Sequence, residues 1–212
     1  MAEEKPILYS YWRSSCSWRV RLALEWKGIE YTYKAVNLIK DGGEQKSEEY
    51  TKLNPQKIIP SLVIGEKVLT QSLAIMEYLE EVHPHKPLLP NEPFLKAEVR
   101  KICLAIAADI QPLQNLKVLN AIGEDKKMAW ANNVIDQGFQ SLEKILEKTS
   151  GKFCVGDQVT LADFCLVPQV YNAQRFNVDM KKFPVIARIE AELSKIPEFL
   201  KAHPSNQPDA VN

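Results

Sequence analysis

The 212 residues predict an α/β domain followed by an all-α domain. Two patterns and the break between them carry that expectation. In the first third of the chain, β-rich runs alternate with runs of helical period, whereas beyond residue 93 only the helical period continues. Between them, residues 83–93 hold Pro84, Pro87, Pro90 and Pro93, a density that neither a helix nor a central strand tolerates.

Each element has its own signal. Residues 7–12 (ILYSYW) form a β-rich run that stops at Arg13-Ser14-Ser15, where a helix should begin. Cys16, Val20, Ala23 and Leu24 recur at i, i+4, i+7 and i+8, and Gly28 can close that helix in the left-handed conformation. A second β-run covers residues 31–36. A polar stretch (40–45) and a short helix (47–53) follow, and Asn54-Pro55 breaks the chain. Residues 61–64 and 67–70, joined by Gly65-Glu66, read as a tight hairpin. Ser72 then serves as N-cap for a helix whose apolar positions are Ile75, Tyr78, Leu79 and Val82. The expected order is β-α-β-α-β-β-α over residues 1–83, a linker over 84–93 and a helical domain over 94–212. In that second domain, helical periods span about 94–119, 125–148, 160–176 and 184–195. Thr160 and Asp163 have capping-box spacing, flanked by Val159 and Phe164 as a staple, so Asp163 reads as structural.

Composition excludes several classes. Lys and Arg total 27, Asp and Glu total 27, and the signs balance in each half, so there is no basic nucleic-acid-binding arm and no acidic tail. With 45% hydrophobic and 25% charged residues and a mean hydropathy of −0.25, the chain has the make-up of a globular protein. No apolar run approaches the roughly 18 residues that span a bilayer, and the charged first five residues lack a signal peptide's apolar core. A cytoplasmic protein is expected, with import into an organelle left open. Cys16, Cys103, Cys154 and Cys165 lie far apart with no C-x-x-C pair, and the histidines are His83, His85 and His203, so no metal site is expected. The thiols should be reduced, with Cys103 and Cys165 packed as small hydrophobes.

Three places carry chemistry. Ser14-Ser15-Cys16 sits where a strand hands over to a helix, so backbone amides and the positive helix end converge on an anion. A hydroxyl there could hold a bound thiolate, Cys16 could itself be a nucleophile, or the serine could be a plain cap. Gln71-Ser72 is a second strand-to-helix junction, and two such helix ends could grip a ligand with separated carboxylates. Ile59-Pro60 precedes a strand; prolyl statistics alone favour a trans bond.

With these residues in view, the chain resembles the zeta class of the glutathione transferases over nearly its whole length. The segment Ser14-Ser15-Cys16-Ser17-Trp18-Arg19-Val20-Arg21 matches the class signature S-S-C-x-W-R-x-R. Support comes from Asn37-Leu38, Asn54-Pro55, Pro60, residues 71–75 (QSLAI), residues 111–116 (QPLQNL) and residues 154–157 (CVGD). The resemblance implies a thioredoxin-like glutathione-binding domain, a helical domain, a homodimer, and a cis bond before Pro60. By the same likeness, Ser14, Ser15 and Cys16 are the catalytic set, with Ser17, Trp18 and Arg19 beside them. Ile59 should pair its backbone with the cysteinyl part of glutathione, where other members often carry valine, and Gln71 and Ser72 should hold the γ-glutamyl end. Gln45 should meet the glycyl or cysteinyl part, and Gln111, Asn115, Leu116 and Lys117 match family positions that line the site. Lys117 departs from the small polar residue familiar there. Arg175 ends a predicted helix, where the dipole alone favours a cation; the family match makes it the partner of a substrate carboxylate.

The implied activity is the glutathione-dependent cis-trans isomerisation of maleylacetoacetate to fumarylacetoacetate, a step of phenylalanine and tyrosine catabolism. Displacement of halide from small α-haloacids such as dichloroacetate is implied as well. The partners are small electrophilic acids and a second copy of the chain, not nucleic acid or membrane. The alternatives are a general conjugating transferase, a thiol reductase using Cys16, and a non-catalytic ligand carrier.

Overall fold

A computed structural model describes residues 4–211; the first three residues of the charged amino terminus lie outside them. Strands β1 (Ile7–Ser10), β2 (Thr32–Ala35), β3 (Ser61–Ile64) and β4 (Lys67–Thr70) form one sheet in the order β2-β1-β3-β4. β1 runs parallel to β2 with Ile7 opposite Thr32, and antiparallel to β3 with Leu8 opposite Leu62. The parallel pair needs a crossover, and α1 (Ser15–Trp26) supplies it. Short α2 (Glu48–Leu53) and α3 (Ser72–Val82) complete the thioredoxin-like arrangement of the N-terminal unit. Its core holds Leu8, Val20, Leu22, Leu24, Leu62, Ile75, Met76 and Leu79, each at most 1% exposed. The hairpin turns at Gly65, whose φ of +56° lies in the region glycine favours, and Gly28 at φ +65° follows the end of α1 as expected.

The contacts divide the chain into two units: residues up to Lys86 together with those from Pro197 onward, and Pro87–Ile196. This differs from the expected 1–83, 84–93 and 94–212 at both ends of the helical part. Residues 84–86 stay with the first unit because the buried Lys27 ammonium bonds the Glu80 carboxylate at 2.6 Å and the His85 and Lys86 carbonyls at 2.9 and 3.2 Å. Residues 197–211 join it because α9 (Pro197–Ala202) lies on α1: the Ala202 carbonyl accepts from Arg21, Lys201 pairs with Glu25 at 2.6 Å, and the His203 ring meets Trp18 edge-on. α9 is too short to show a helical period, so no sequence signal announced it.

The second unit is helical throughout: α4 (Pro93–Leu104), α5 (Leu116–Ile122), α6 (Glu124–Thr149), α7 (Leu161–Arg175) and α8 (Pro184–Leu193). The single helix expected over 94–119 is interrupted. A π-helical turn (Ala105–Ile110) and a 3-10 turn (Gln111–Gln114) stand between α4 and α5, since Pro112 cannot donate to the ladder. Ile110 there packs directly on the α6 backbone at Gly138, where an added Cβ would fall 2.4 Å from its side chain. Cys103, Cys154 and Cys165 are buried and outside any disulfide, with the burial read from the sequence for the first and last. Among the described residues, no helix is long and apolar enough to cross a membrane, and no group of acidic, Cys and His side chains could hold a metal ion.

The capping box of α7 forms. Asp163, wholly buried, accepts from the Thr160 amide at 2.7 Å, the Thr160 hydroxyl at 3.0 Å and the Cys154 amide at 2.9 Å. Burial pushes its carboxyl up while these donors pull it back. Asp163→Ala leaves three buried donors unmet, so urea unfolding should show a loss of about 3 kcal/mol; a loss below about 1 kcal/mol would contradict this account.

Candidate active site

The turn from β1 into α1 brings the first set of residues to one place. Ser14 is the N-cap: its amide donates to the Tyr11 carbonyl at 2.9 Å and its Oγ accepts from the Ser17 amide at 3.2 Å. That bond occupies a lone pair and leaves the hydroxyl proton available to donate outward. The capping and the functional readings of Ser14 are therefore compatible, because one oxygen serves both. Ser15 is the first helical residue and is buried, whereas Ser14 and Cys16 are partly open to solvent. Ser17 and Trp18 are also buried, behind the turn.

Arg19 joins the two helix ends. Its Nη1 donates to Ser72 Oγ at 3.3 Å and lies 4.0 Å from Cys16 Sγ. The residue is 1% exposed, yet its Nε and Nη2 have no hydrogen-bond partner. A buried guanidinium beside two positive helix N-termini is electrostatically unfavourable on its own. The arrangement makes physical sense as half of a pair whose other half is anionic.

At the second junction Gln71 is the N-cap and Ser72 the first helical residue, one position away from the expected cap. The strand-to-helix reversal is made at Gln71 in the left-handed region, φ 68°, which costs a non-glycine residue of the order of 1 kcal/mol or more. Its Nε2 donates to Gln56 Oε1 at 3.1 Å. Strain at a helix end that also presents free amides is a mark of function more than of folding.

The Ile59–Pro60 bond is cis, against prolyl statistics and with the family expectation. The Ile58 carbonyl accepts from Tyr50 Oη at 2.7 Å and from Asn54 Nδ2 at 2.8 Å, which fixes the backbone entering Ile59. Asn54, read from the sequence as a chain breaker and, with Pro55, as part of the family likeness, thus supports the backbone before Ile59, and Tyr50 carried no signal at all. Gln45 is 8% exposed, its Oε1 lacks a partner, and its amide lies over Gly43, where a Cβ would come within 2.5 Å.

The remaining candidates lie in the helical unit. Gln111 is buried at the start of the 3-10 turn, and Asn115 caps α5 by accepting from the Lys117 amide at 3.1 Å. Leu116 and Lys117 are exposed. Arg175 is exposed at the last position of α7, its guanidinium 4.9 Å from the Phe176 ring centroid. Asn132 bonds the Phe176 and Asn177 carbonyls, which holds that helix end in place.

Residues 13–82 match the family model for the glutathione S-transferase N-terminal domain and residues 115–203 that for the C-terminal domain. The chain is 60% identical to maleylacetoacetate isomerase of Dictyostelium discoideum, over 99% of this chain and 98% of that one. Among solved structures, a maleylacetoacetate isomerase from Anaeromyxobacter dehalogenans with glutathione in its active site superposes with a TM-score of 0.90 at 40% identity, covering 98% of each chain. A bacterial maleylpyruvate isomerase of the zeta class gives 0.93 at 38% identity, covering 97% of this chain and all of that one.

The unpaired nitrogens of Arg19 carry a stability cost that serves no fold. Arg19→Met should therefore leave the protein without ligand as stable as the parent, or about 1 kcal/mol more stable, in urea unfolding; a marked loss would show that the guanidinium holds the fold.

Proposed function

This chain belongs to the zeta class of the glutathione S-transferases, and from that membership and its N-terminal site we propose that it isomerises maleylacetoacetate to fumarylacetoacetate with glutathione as a recycled cofactor. The observation that carries this reading is Ser14, an N-cap whose hydroxyl proton is left to donate at the positive end of α1.

The residues fit glutathione. Its γ-glutamyl carboxylate matches the α3 amides at Gln71 and Ser72 and the two orphan donors of Arg19, and its peptide groups match the buried Gln45 amide and the Ile59 backbone. Bound there, glutathione would supply a thiolate that adds to a cis double bond and leaves once the bond has turned. The protein's part is electrostatic. Ser14 donates to the sulfur, and the end of α1 favours its anionic form. Ser15, the first helical residue, is buried beside Ser14 as the second hydroxyl of the catalytic set. Cys16, beside Arg19 Nη1, adds a polarisable wall. Arg175 meets the substrate carboxylate through two parallel hydrogen bonds. The same groups suit small α-haloacids such as dichloroacetate. We further assign the chain to phenylalanine and tyrosine breakdown in the cytoplasm, as a homodimer.

Maleylacetone, a stable substitute for the substrate, should be converted to its trans isomer with no net loss of glutathione. Ser14→Ala should lower kcat by about 100-fold or more, while Cys16→Ala should only dent it. Folded, glutathione-binding protein that does not isomerise maleylacetone would sink the proposal in favour of conjugation, thiol reduction or ligand carriage. Arg175→Ala should raise KM for the acid about tenfold and leave KM for glutathione unchanged. Arg19→Met, neutral for stability, should weaken glutathione binding about tenfold by calorimetry.

A further inference from the structure

The turn that presents Ser14 is held from the far end of the chain. Asp209 Oδ2 accepts from the Trp12 backbone amide at 3.0 Å, and Asp209 Oδ1 accepts from the Tyr33 hydroxyl at 2.6 Å. The Trp12 carbonyl accepts from Arg21 Nη2 at 2.9 Å, so both backbone groups of Trp12 are tied. The Tyr11 carbonyl, which receives the Ser14 amide, also receives Arg21 Nη1 at 3.4 Å. From Asp209 to the Ser14 amide, the turn is thus an unbroken run of hydrogen bonds.

The segment that carries Asp209 is itself ordered. Gln207 is 9% exposed and its Nε2 donates to the Lys201 and His203 carbonyls. The Ala210 amide donates to the Gln207 carbonyl at 3.0 Å, and the Ala210 side chain packs on the cluster of Tyr11, Trp12, Val36, Tyr50 and Ile59. The same few residues therefore touch the supports of both Ser14 and Ile59.

We propose that Asp209 is a positioning residue for Ser14: by holding the Trp12 amide it fixes the turn that aims the Ser14 hydroxyl, so the carboxyl-terminal segment is a working part of the thiolate site. Asp209 touches no reacting atom; it acts through the backbone of residues 11–14. A displaced turn moves the Ser14 donor from the position where charge develops, and such misplacement is paid in turnover more than in substrate binding. The proposal rests on the glutathione-dependent reading above.

A double-mutant cycle on the full chain tests it, with maleylacetone and glutathione as substrates. Asp209→Ala should lower kcat about tenfold with KM for maleylacetone unchanged, and Asp209→Asn, which keeps an acceptor for the Trp12 amide, should recover most of the loss. In the Ser14→Ala background, Asp209→Ala should have almost no further effect on kcat, although its effect on the thermal midpoint is the same in both backgrounds. Equal fold-losses in the two backgrounds, or a kcat that Asp209→Ala leaves unchanged in the otherwise wild-type protein, would overturn the proposal. If Asp209→Ala does not fold, Tyr33→Phe, which frees one carboxylate oxygen, runs the same cycle with about a threefold expected loss. Parent protein that binds glutathione but turns over no maleylacetone removes the functional reading instead, and the positioning role with it.

Discussion

The buried guanidinium of Arg21 is the constraint on which the N-terminal unit turns. Wholly excluded from solvent, it donates to Ser10 Oγ, the Tyr11 and Trp12 carbonyls and the Ala202 carbonyl. Those acceptors belong to the end of β1 with the turn after it and to the last turn of α9, two segments nearly two hundred residues apart in the chain. Burial lowers the Arg21 pKa to about 10, which still leaves it protonated at neutral pH. Carbonyls rather than a carboxylate satisfy the charge, and Asp209 and the tyrosines nearby add only a field. Removing the cation would leave its carbonyl partners short of donors and separate the C-terminal segment from the turn it supports.

Arg19 and Arg21 show how two identical side chains two residues apart come to different work. Residues at i and i+2 on a helix point about 200° apart, so one guanidinium must face away from the other. Arg21 turns into the protein and finds acceptors on every side. Arg19 turns to the helix ends and finds one hydroxyl, with two nitrogens left over. Full satisfaction marks the first as structural, and incomplete satisfaction is what supports the proposed glutathione contact of the second. The R-x-R pattern in the sequence holds both roles without distinguishing them.

Much of this was legible beforehand, and the gaps have physical causes. The hairpin, Gly28 and the Thr160–Asp163 box were readable because each depends on residues within a few positions of one another. The order β-α-β-α-β-β-α was readable for the same reason. The cis bond before Pro60 could be reached only by family likeness, since local statistics point the other way. The break of the long helix was missed because the apolar period persists through Pro112, although the ladder does not. The return of residues 197–211 to the first unit depends on partners nearly two hundred residues distant, such as Trp12 for Asp209, and no window along the chain contains both.

The same distinction explains where the site stores its costs. Gln71 accepts a left-handed backbone, Arg19 keeps two donors unmet, and Gln45 buries an unpartnered amide oxygen. Gln71 caps a helix, Gln45 lies in a short 3-10 turn, and Arg19 reaches from inside α1 to the Ser72 hydroxyl at the start of α3, all in the N-terminal unit. They persist because the surrounding structure over-determines them: Arg21 and Asp209 fix the first turn, while Tyr50 and Asn54 fix the backbone before Ile59. A rigid frame of satisfied polar groups thus lets a few unsatisfied ones remain in place, so their bonds are made to a ligand at little reorganisation cost. On this view the frame is as much a part of the chemistry as Ser14, because an N-cap hydroxyl can favour a thiolate only if the helix it caps cannot move away.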